Sequence, residues 1–476
     1  MENIGADADV LIAGAGMAGL SCAEALARIG LRVTVVEQDR RPGGRAASWS
    51  DPITGDAVDI GPQVLVNHYA NLLALLHRLG TDRLVRWQPD PVITLVENGR
   101  RADVRASDWP APLHMLPGLP AALDFLSTAD LLSNRRVARS AARFGEQDFS
   151  ALDAVDALGW LRGQGVSERA IEWFWATAAR ALLNVPLHRC SAAALARVAH
   201  LLVSRSGYHF GFPRVGISEL FVPGCVQAVE AAGGRVVCGA RVVRVEVDGG
   251  RFRSFELAGG QRLSARVAVL ALPPDALAGV APPAWRDGVP QAAARLEPCP
   301  YVSAYLWFDR RLGPDRFWAR VWRPGDLNTD FHDLANIRGW PAEASSLIAS
   351  NAIHVHAALS DDEVIERTHR EIADFAPVAG QARVRHAVVH RVPMAIPCPL
   401  PGAESARPAA DTPFENLWLA GDWTRTALPA SMESAARSGA LAAERVAAAL
   451  GRGGSFAEPL PKAEGLMAWA ARARAA

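Results

Sequence analysis

Asp9-Val10-Leu11-Ile12-Ala13-Gly14-Ala15-Gly16-Met17-Ala18-Gly19 begins a unit that closes at Arg32-Val33-Thr34-Val35-Val36-Glu37. An apolar run, a glycine turn, an alanine-rich stretch from Met17 to Gly30 and a β-branched run read as strand, turn, helix and strand. Gly14 permits the tight turn, Gly16 lets backbone N–H groups approach a pyrophosphate at the positive helix end, and Gly19 lets helix and strand pack closely. Glu37 sits where an acid accepts hydrogen bonds from ribose hydroxyls and repels a ribose phosphate, which favours FAD or NAD over NADP. A glycine turn alone would also suit other α/β folds; strand, helix and acid in register point to an adenine dinucleotide.

The residues after Glu37 choose between the two dinucleotides. The run Gln38-Asp39-Arg40-Arg41-Pro42-Gly43-Gly44-Arg45 adds a second glycine pair with an arginine, unlike a nicotinamide dehydrogenase. It resembles the flavin-containing amine oxidase and carotenoid desaturase superfamily. The resemblance places Gly14, Gly16, Met17, Ala18, Gly19 and Glu37 on the adenosine and pyrophosphate, and Gly43, Gly44 and Arg45 against the pyrophosphate and ribityl chain. It runs Gly61, Pro62, Gln63 and Val64 past the isoalloxazine and puts the main chain of Val242 on adenine. Far downstream, Leu417-Trp418-Leu419-Ala420-Gly421-Asp422 is similar to the strand that delivers Gly421 and Asp422 to the flavin. Pro429-Ala430-Ser431-Met432-Glu433 then opens a helix, with Met432 facing the flavin pyrimidine and free N–H groups stabilising negative charge there. The implied cofactor is FAD, and the implied fold is a Rossmann-type parallel α/β domain interleaved with an α+β substrate domain.

Composition agrees with this reading. A chain of 476 residues is too long for one core. The net charge is zero and no basic cluster stands out, which leaves nucleic-acid binding without support. Lys462 is the only lysine, and six cysteines without a Cys-x-x-Cys pair suit reduced thiols in a cytoplasmic protein. Met1 to Ala8 resembles neither a signal peptide nor a twin-arginine leader, and no apolar run approaches the roughly 18 residues of a spanning helix.

Motif order sets the organisation. Residues 1–84, 213–298 and 396–452 are assigned to a discontinuous FAD-binding domain, 85–212 and 299–395 to the substrate domain, and 453–476 to a flexible tail. Val267-Ala268-Val269-Leu270-Ala271 is expected to return to the nucleotide sheet, with Gly216 to Phe221 leading into a helix. No second glycine fingerprint occurs, so a dedicated NADPH domain is not expected. Electrons would be exchanged with oxygen, a quinone or another partner.

For the substrate, three segments resemble the isoprenoid branch of the superfamily, namely the squalene-associated FAD-dependent desaturases or hydroxysqualene dehydroxylases and the plant-type 15-cis-phytoene desaturases. They are Gly211 to Phe221, Tyr305-Leu306-Trp307-Phe308-Asp309-Arg310, which looks like the strand over the substrate cavity, and Ala420 to Thr424 with Leu428 to Glu433. The chain departs from the dehydroxylases at Arg425-Thr426-Ala427 and at Asn328 to Leu334. The resemblance implies hydride transfer at an allylic carbon of a polyisoprenoid lipid, in either redox direction. The alternatives are a flavin amine oxidase and a non-catalytic FAD-binding protein. Polyamine-type oxidases commonly hold a lysine near flavin N5, and Lys462 lies beyond the last flavin helix. Trp423 is a candidate aromatic wall or simply packing, and Ile396-Pro397-Cys398-Pro399 lacks the glycine-flanked cysteine that carries covalent flavin, so Cys398 reads as a buried thiol. No catalytic acid or base is identified; Arg425, Glu433 and Asp330 are the nearest in motif terms.

The broken apolar segment Trp109 to Pro120 suits a bilayer surface, with Trp109 at headgroup level, or a buried interdomain loop. The first alternative makes the protein peripheral on a cytoplasmic membrane face. His386 and His390 lie in a β-branched context that would separate their side chains by roughly 13 Å. His354 and His356 lack a third ligand, so no metal site is expected, and no Gly-x-Ser-x-Gly elbow supports hydrolysis.

Overall fold

The computed structural model describes residues 8–88, 90–145, 148–285, 287–353 and 359–469. Val10–Ala13 lies at the centre of a five-stranded sheet whose every pairing is parallel. Val33–Val36 and Arg235–Val237 lie on one side of it, Val267–Leu270 and Leu417–Leu419 on the other. The four residues of Val10–Ala13 and of Val267–Leu270 are all buried, which is why these strands read as unbroken apolar runs. The two faces feed different cores. Val10, Ile12, Val33 and Val35 pack with the helices Met17–Arg28, Val222–Ala231 and Met432–Ala449. Leu11, Ala13 and Val36 pack with the antiparallel meander Val242–Asp248, Arg251–Leu257 and Arg262–Ser264.

Small residues let the first and last helices touch. A Cβ on Gly439 would stand 2.2 Å from the Ala18 carbonyl oxygen, and one on Gly19 would stand 1.9 Å from the Gly14 carbonyl oxygen. Gly19 thus holds the first helix against the turn that starts it.

The second body is a seven-stranded sheet in the order Val384–Pro397, Pro298–Phe308, Leu347–Ile353, Asp330–Asp333, Phe317–Arg320, Ile93–Glu97 and Arg100–Val104. The helices between residues 135 and 204 gather around a separate core that includes Leu161, Ile171 and Leu195. The helical run near Ala170 contains one wider turn, Ile171–Trp175, of π type.

Two expectations need correction or refinement. The stretch from residue 453, expected to be a flexible tail, makes contacts with the folded body as far as Met467. Phe456 packs on the first core, Glu458 N–H donates to Asn71 Oδ1 at 2.9 Å, Glu464 pairs with Arg205 at 3.0 Å, and Met467 is buried. Phe456 and Met467 supply the apolar part of that contact, covering surface that would otherwise face water. The segment from Trp109 is at the surface rather than buried between domains. It forms a 3₁₀ turn, Leu113–Gly118, and a short helix, Leu119–Leu123, with Trp109 54% exposed and His114 fully buried beneath.

His386 and His390 both fall on the strand Val384–Pro397, while His354 and His356 lie outside the described residues. Among the described residues no helix is long and apolar enough to cross a membrane, and no cluster of metal ligands forms.

Candidate active site

Two cavities meet where the two bodies join. The larger, ≈ 790 Å³, runs along the carboxyl ends of the parallel strands and is lined by Gly14, Gly16, Met17, Ala18, Glu37, Gly43, Gly44, Arg45, Gln63, Val242, Gly421, Asp422 and Met432. Its size falls within the roughly 300–1,000 Å³ of small-molecule and cofactor sites, at the crevice where open α/β sheets bind ligands. The smaller, ≈ 340 Å³, is mostly apolar and is walled by Val64, Phe174, Leu202, Phe210 and Phe317 among others. Arg45, Gln63, Val392, Ala395, Ile396, Ser431 and Met432 line both.

The large cavity fits a dinucleotide on features of its own. A Cβ on Gly16 would meet nothing within 4 Å, so the turn leaves open space beside its backbone, where a pyrophosphate needs to approach. Glu37 Oε2 accepts from Ala15 N–H at 2.7 Å and Oε1 from Asp39 N–H at 3.0 Å. The carboxylate is thereby aimed by the turn it closes, with lone pairs left over for ribose hydroxyls. Arg45 forms a forked pair with Asp422, at 2.5 and 3.1 Å, and also donates to the Ala395 carbonyl at 2.9 Å. Burial works against the Arg45 charge, and the Asp422 carboxylate more than offsets it, holding the guanidinium above its usual range. The helix Met432–Ala449 starts at the junction of the cavities with Ser431 as its cap, accepting from Ser434 N–H at 3.2 Å.

Four of the anticipated cofactor residues do not line the large cavity. Gly19 lines neither cavity and serves the packing described above. Gly61 also lines neither: a Cβ there would lie 2.1 Å from the Tyr301 hydroxyl, so glycine is what lets the Tyr301 ring lie on this loop. Pro62 and Val64 face the apolar cavity, while Gln63 between them borders both.

The three acid–base candidates separate. Glu433 accepts from Asn71 N–H at 3.0 Å, Asn71 Nδ2 at 2.8 Å and Leu72 N–H at 2.8 Å, so it caps the helix Ala70–Arg78 and lines neither cavity. Burial raises its pKa, against the pull of those donors. Arg425 donates to the Arg407 carbonyl at 3.2 Å and is likewise absent from both walls. Asp330 lines the apolar cavity. Its Oδ1 is 3.0 Å from His332 Nε2 and 3.2 Å from Asn351 Nδ2, and Asn351 also donates to the Pro62 carbonyl at 3.3 Å.

Two residues of this corner escaped the sequence reading. Asn351 is the register partner of Asp330 on the adjacent strand, and Tyr301 comes from a strand beyond it. The expected strand over the cavity is Pro298–Phe308, and it reaches the cavity through Tyr301 rather than through Tyr305 or Trp307. Burial first, then the charges on Asp59 and Asp330, push the Tyr301 phenol well up, so it stays neutral. Trp423 is almost fully buried, donates to the Leu272 carbonyl at 3.0 Å and borders only the large cavity. Cys398 is buried and lies outside both walls. Lys462 lines neither cavity.

Residues 17–447 match the model of the family described as flavin containing amine oxidoreductase. The chain is 28% identical to a 15-cis-phytoene desaturase of Synechococcus elongatus, covering 92% of this chain and 96% of that protein. It is 23% identical to the hydroxysqualene dehydroxylase of Zymomonas mobilis, covering 91% and 97%. Among solved structures, cyclohexylamine oxidase from Brevibacterium oxydans superposes with a TM-score of 0.68 at 19% identity, over 94% of this chain and all of that one (100%). With the family match spanning nearly the whole chain and a cavity shaped for a dinucleotide at its centre, the chain belongs to the flavin-containing amine oxidoreductase family and is an FAD-dependent oxidoreductase.

Proposed function

We propose that this enzyme oxidises or reduces a polyisoprenoid lipid at an allylic carbon, as a desaturase of the 15-cis-phytoene type or a dehydroxylase of the hydroxysqualene type. The observation that carries the reading is the apolar cavity that shares its inner wall with the cofactor cavity. Bound FAD would supply a two-electron hydride acceptor or donor at that wall. The protein's own part is to orient an apolar chain, exclude water and fix charge near the reacting carbons. Phe174, Phe210 and Phe317 give the chain an apolar sleeve, and Arg45 and Met432 hold the side shared with the cofactor.

Supply from a cytoplasmic membrane face suits the same reading. Met115 and Leu202 line the apolar cavity, and the surrounding segment exposes Trp109, Leu113, Leu116, Leu119 and Leu123 to solvent. Such a patch fits a peripheral protein that takes lipid from a bilayer.

The test is the visible spectrum of the anaerobic protein before and after addition of liposomes carrying 15-cis-phytoene. Bleaching of the oxidised flavin band is the expected result for a desaturase. If the band persists, and the reduced protein is not reoxidised by hydroxysqualene either, the proposal is wrong.

A further inference from the structure

We infer that Asp330 is the catalytic residue that faces positive charge on the substrate and receives its proton. This rests on the apolar cavity being the substrate site, as proposed above. Asp330 is the only carboxylate on the wall of that cavity, among the described residues. Among the described residues its hydrogen bonds, with His332 Nε2 and Asn351 Nδ2, both fall on Oδ1, and Oδ2 has no partner there. Asn351 ties the same carboxylate to the Pro62 carbonyl, on the loop whose next residue, Gln63, borders the cofactor cavity. Asn351 Oδ1 is itself buried without a partner among the described residues, a second acceptor at the same corner. Tyr301 beside them is a neutral phenol and offers no counter-charge. The two cations on the wall, Arg45 and Arg105, are paired with Asp422 and Asp90, so apolar walls with acceptors at one end favour a ligand that is hydrocarbon along its length and electron-poor where it meets them.

In a dehydrogenation, one hydrogen leaves with its bonding pair as hydride, with the bound flavin as oxidant. The pair of the adjacent C–H bond becomes the new π bond, and the proton of that bond passes to Asp330 Oδ2. His332 and Asn351 hold the carboxylate still while this happens, as a general base requires.

The experiment uses the FAD-loaded protein, its D330N and D330E variants, and two probes of equal length, N,N-dimethyldodecylamine and the neutral N,N-dimethyldodecanamide. Binding is read as a shift of the oxidised flavin band. Wild type should bind the ammonium at least tenfold tighter than the amide; D330N should lose that preference while keeping its affinity for the amide, and D330E should recover part of it. The rate of flavin reduction by the polyene should fall on the order of 100-fold or more in D330N. An ammonium preference that survives in D330N, or an undiminished rate, overturns the assignment and leaves the apolar cavity standing as the substrate site. Failure of both probes to bind wild type overturns the reading of the cavity and the assignment with it. Reduction of the flavin by the amine would support Asp330 as the cation-facing group while replacing the lipid with an amine.

Discussion

Glu37 and Asp333 are two buried acids set to opposite uses. Glu37 closes the dinucleotide turn through two backbone N–H groups and borders the cavity. Glu37→Ala removes charge-assisted hydrogen bonds, each about 1.5–3 kcal/mol, so FAD should bind on the order of 10- to 100-fold more weakly. The flavin-to-protein absorbance ratio after dialysis measures this. Asp333 is buried on the seven-stranded sheet, accepting from Ser346 at 2.6 Å and from Asn336 N–H at 3.1 Å, and burial pushes its pKa up to about 6 despite those donors. A carboxyl whose pKa is raised on folding binds its proton more tightly in the folded state. Its contribution is therefore full below the unfolded value and is lost as pH rises through about 6. Melting temperature in Asp333→Asn should be flatter than in wild type as pH rises from 4 to 7. Residue identity was legible for the glycine turn because its parts are adjacent in sequence. Asp330 could be named only as one of three candidates, because its partner Asn351 is 21 residues away and opposite it only once the strands pair.

At the scale of elements, the parallel sheet was foreseeable from buried, uninterrupted apolar runs, and the helix after Pro429 from its capping signal. What no local pattern revealed is that Glu433, in the first turn of that helix, belongs energetically to another helix. Its carboxylate takes three donors at the start of Ala70–Arg78. Glu433→Ala strands buried N–H groups and should cost about 1–3 kcal/mol. Urea unfolding monitored by circular dichroism would measure that loss, and a midpoint equal to wild type would contradict the capping role. The tail from residue 453 escaped notice for a related reason. Its described residues carry little period, and its anchors, Asn71, Ala111 and Arg205, come from three separate regions.

Across the whole molecule, exposed apolar residues concentrate where the wall of the apolar cavity approaches the surface. Leu466 N–H donates to the Ala111 carbonyl at 3.0 Å, bringing the exposed Leu466 beside the Trp109–Leu123 segment. Burying one leucine is worth about 1.5–3 kcal/mol, so a double substitution, Leu113→Ser with Leu116→Ser, should reduce binding to phospholipid vesicles at least tenfold without altering the flavin spectrum. Sedimentation with vesicles measures it, and equal pelleting of variant and wild type would rule out this face.

Arg45, Gln63, Ser431 and Met432 serve two rooms at once, and a partition of that kind imposes a sequence of assembly. Whatever occupies the larger room borders the smaller one, so an amphiphile admitted before the nucleotide meets one wider chamber. Purification detergents would then compete with cofactor loading, and reconstitution belongs before any lipid or surfactant is introduced.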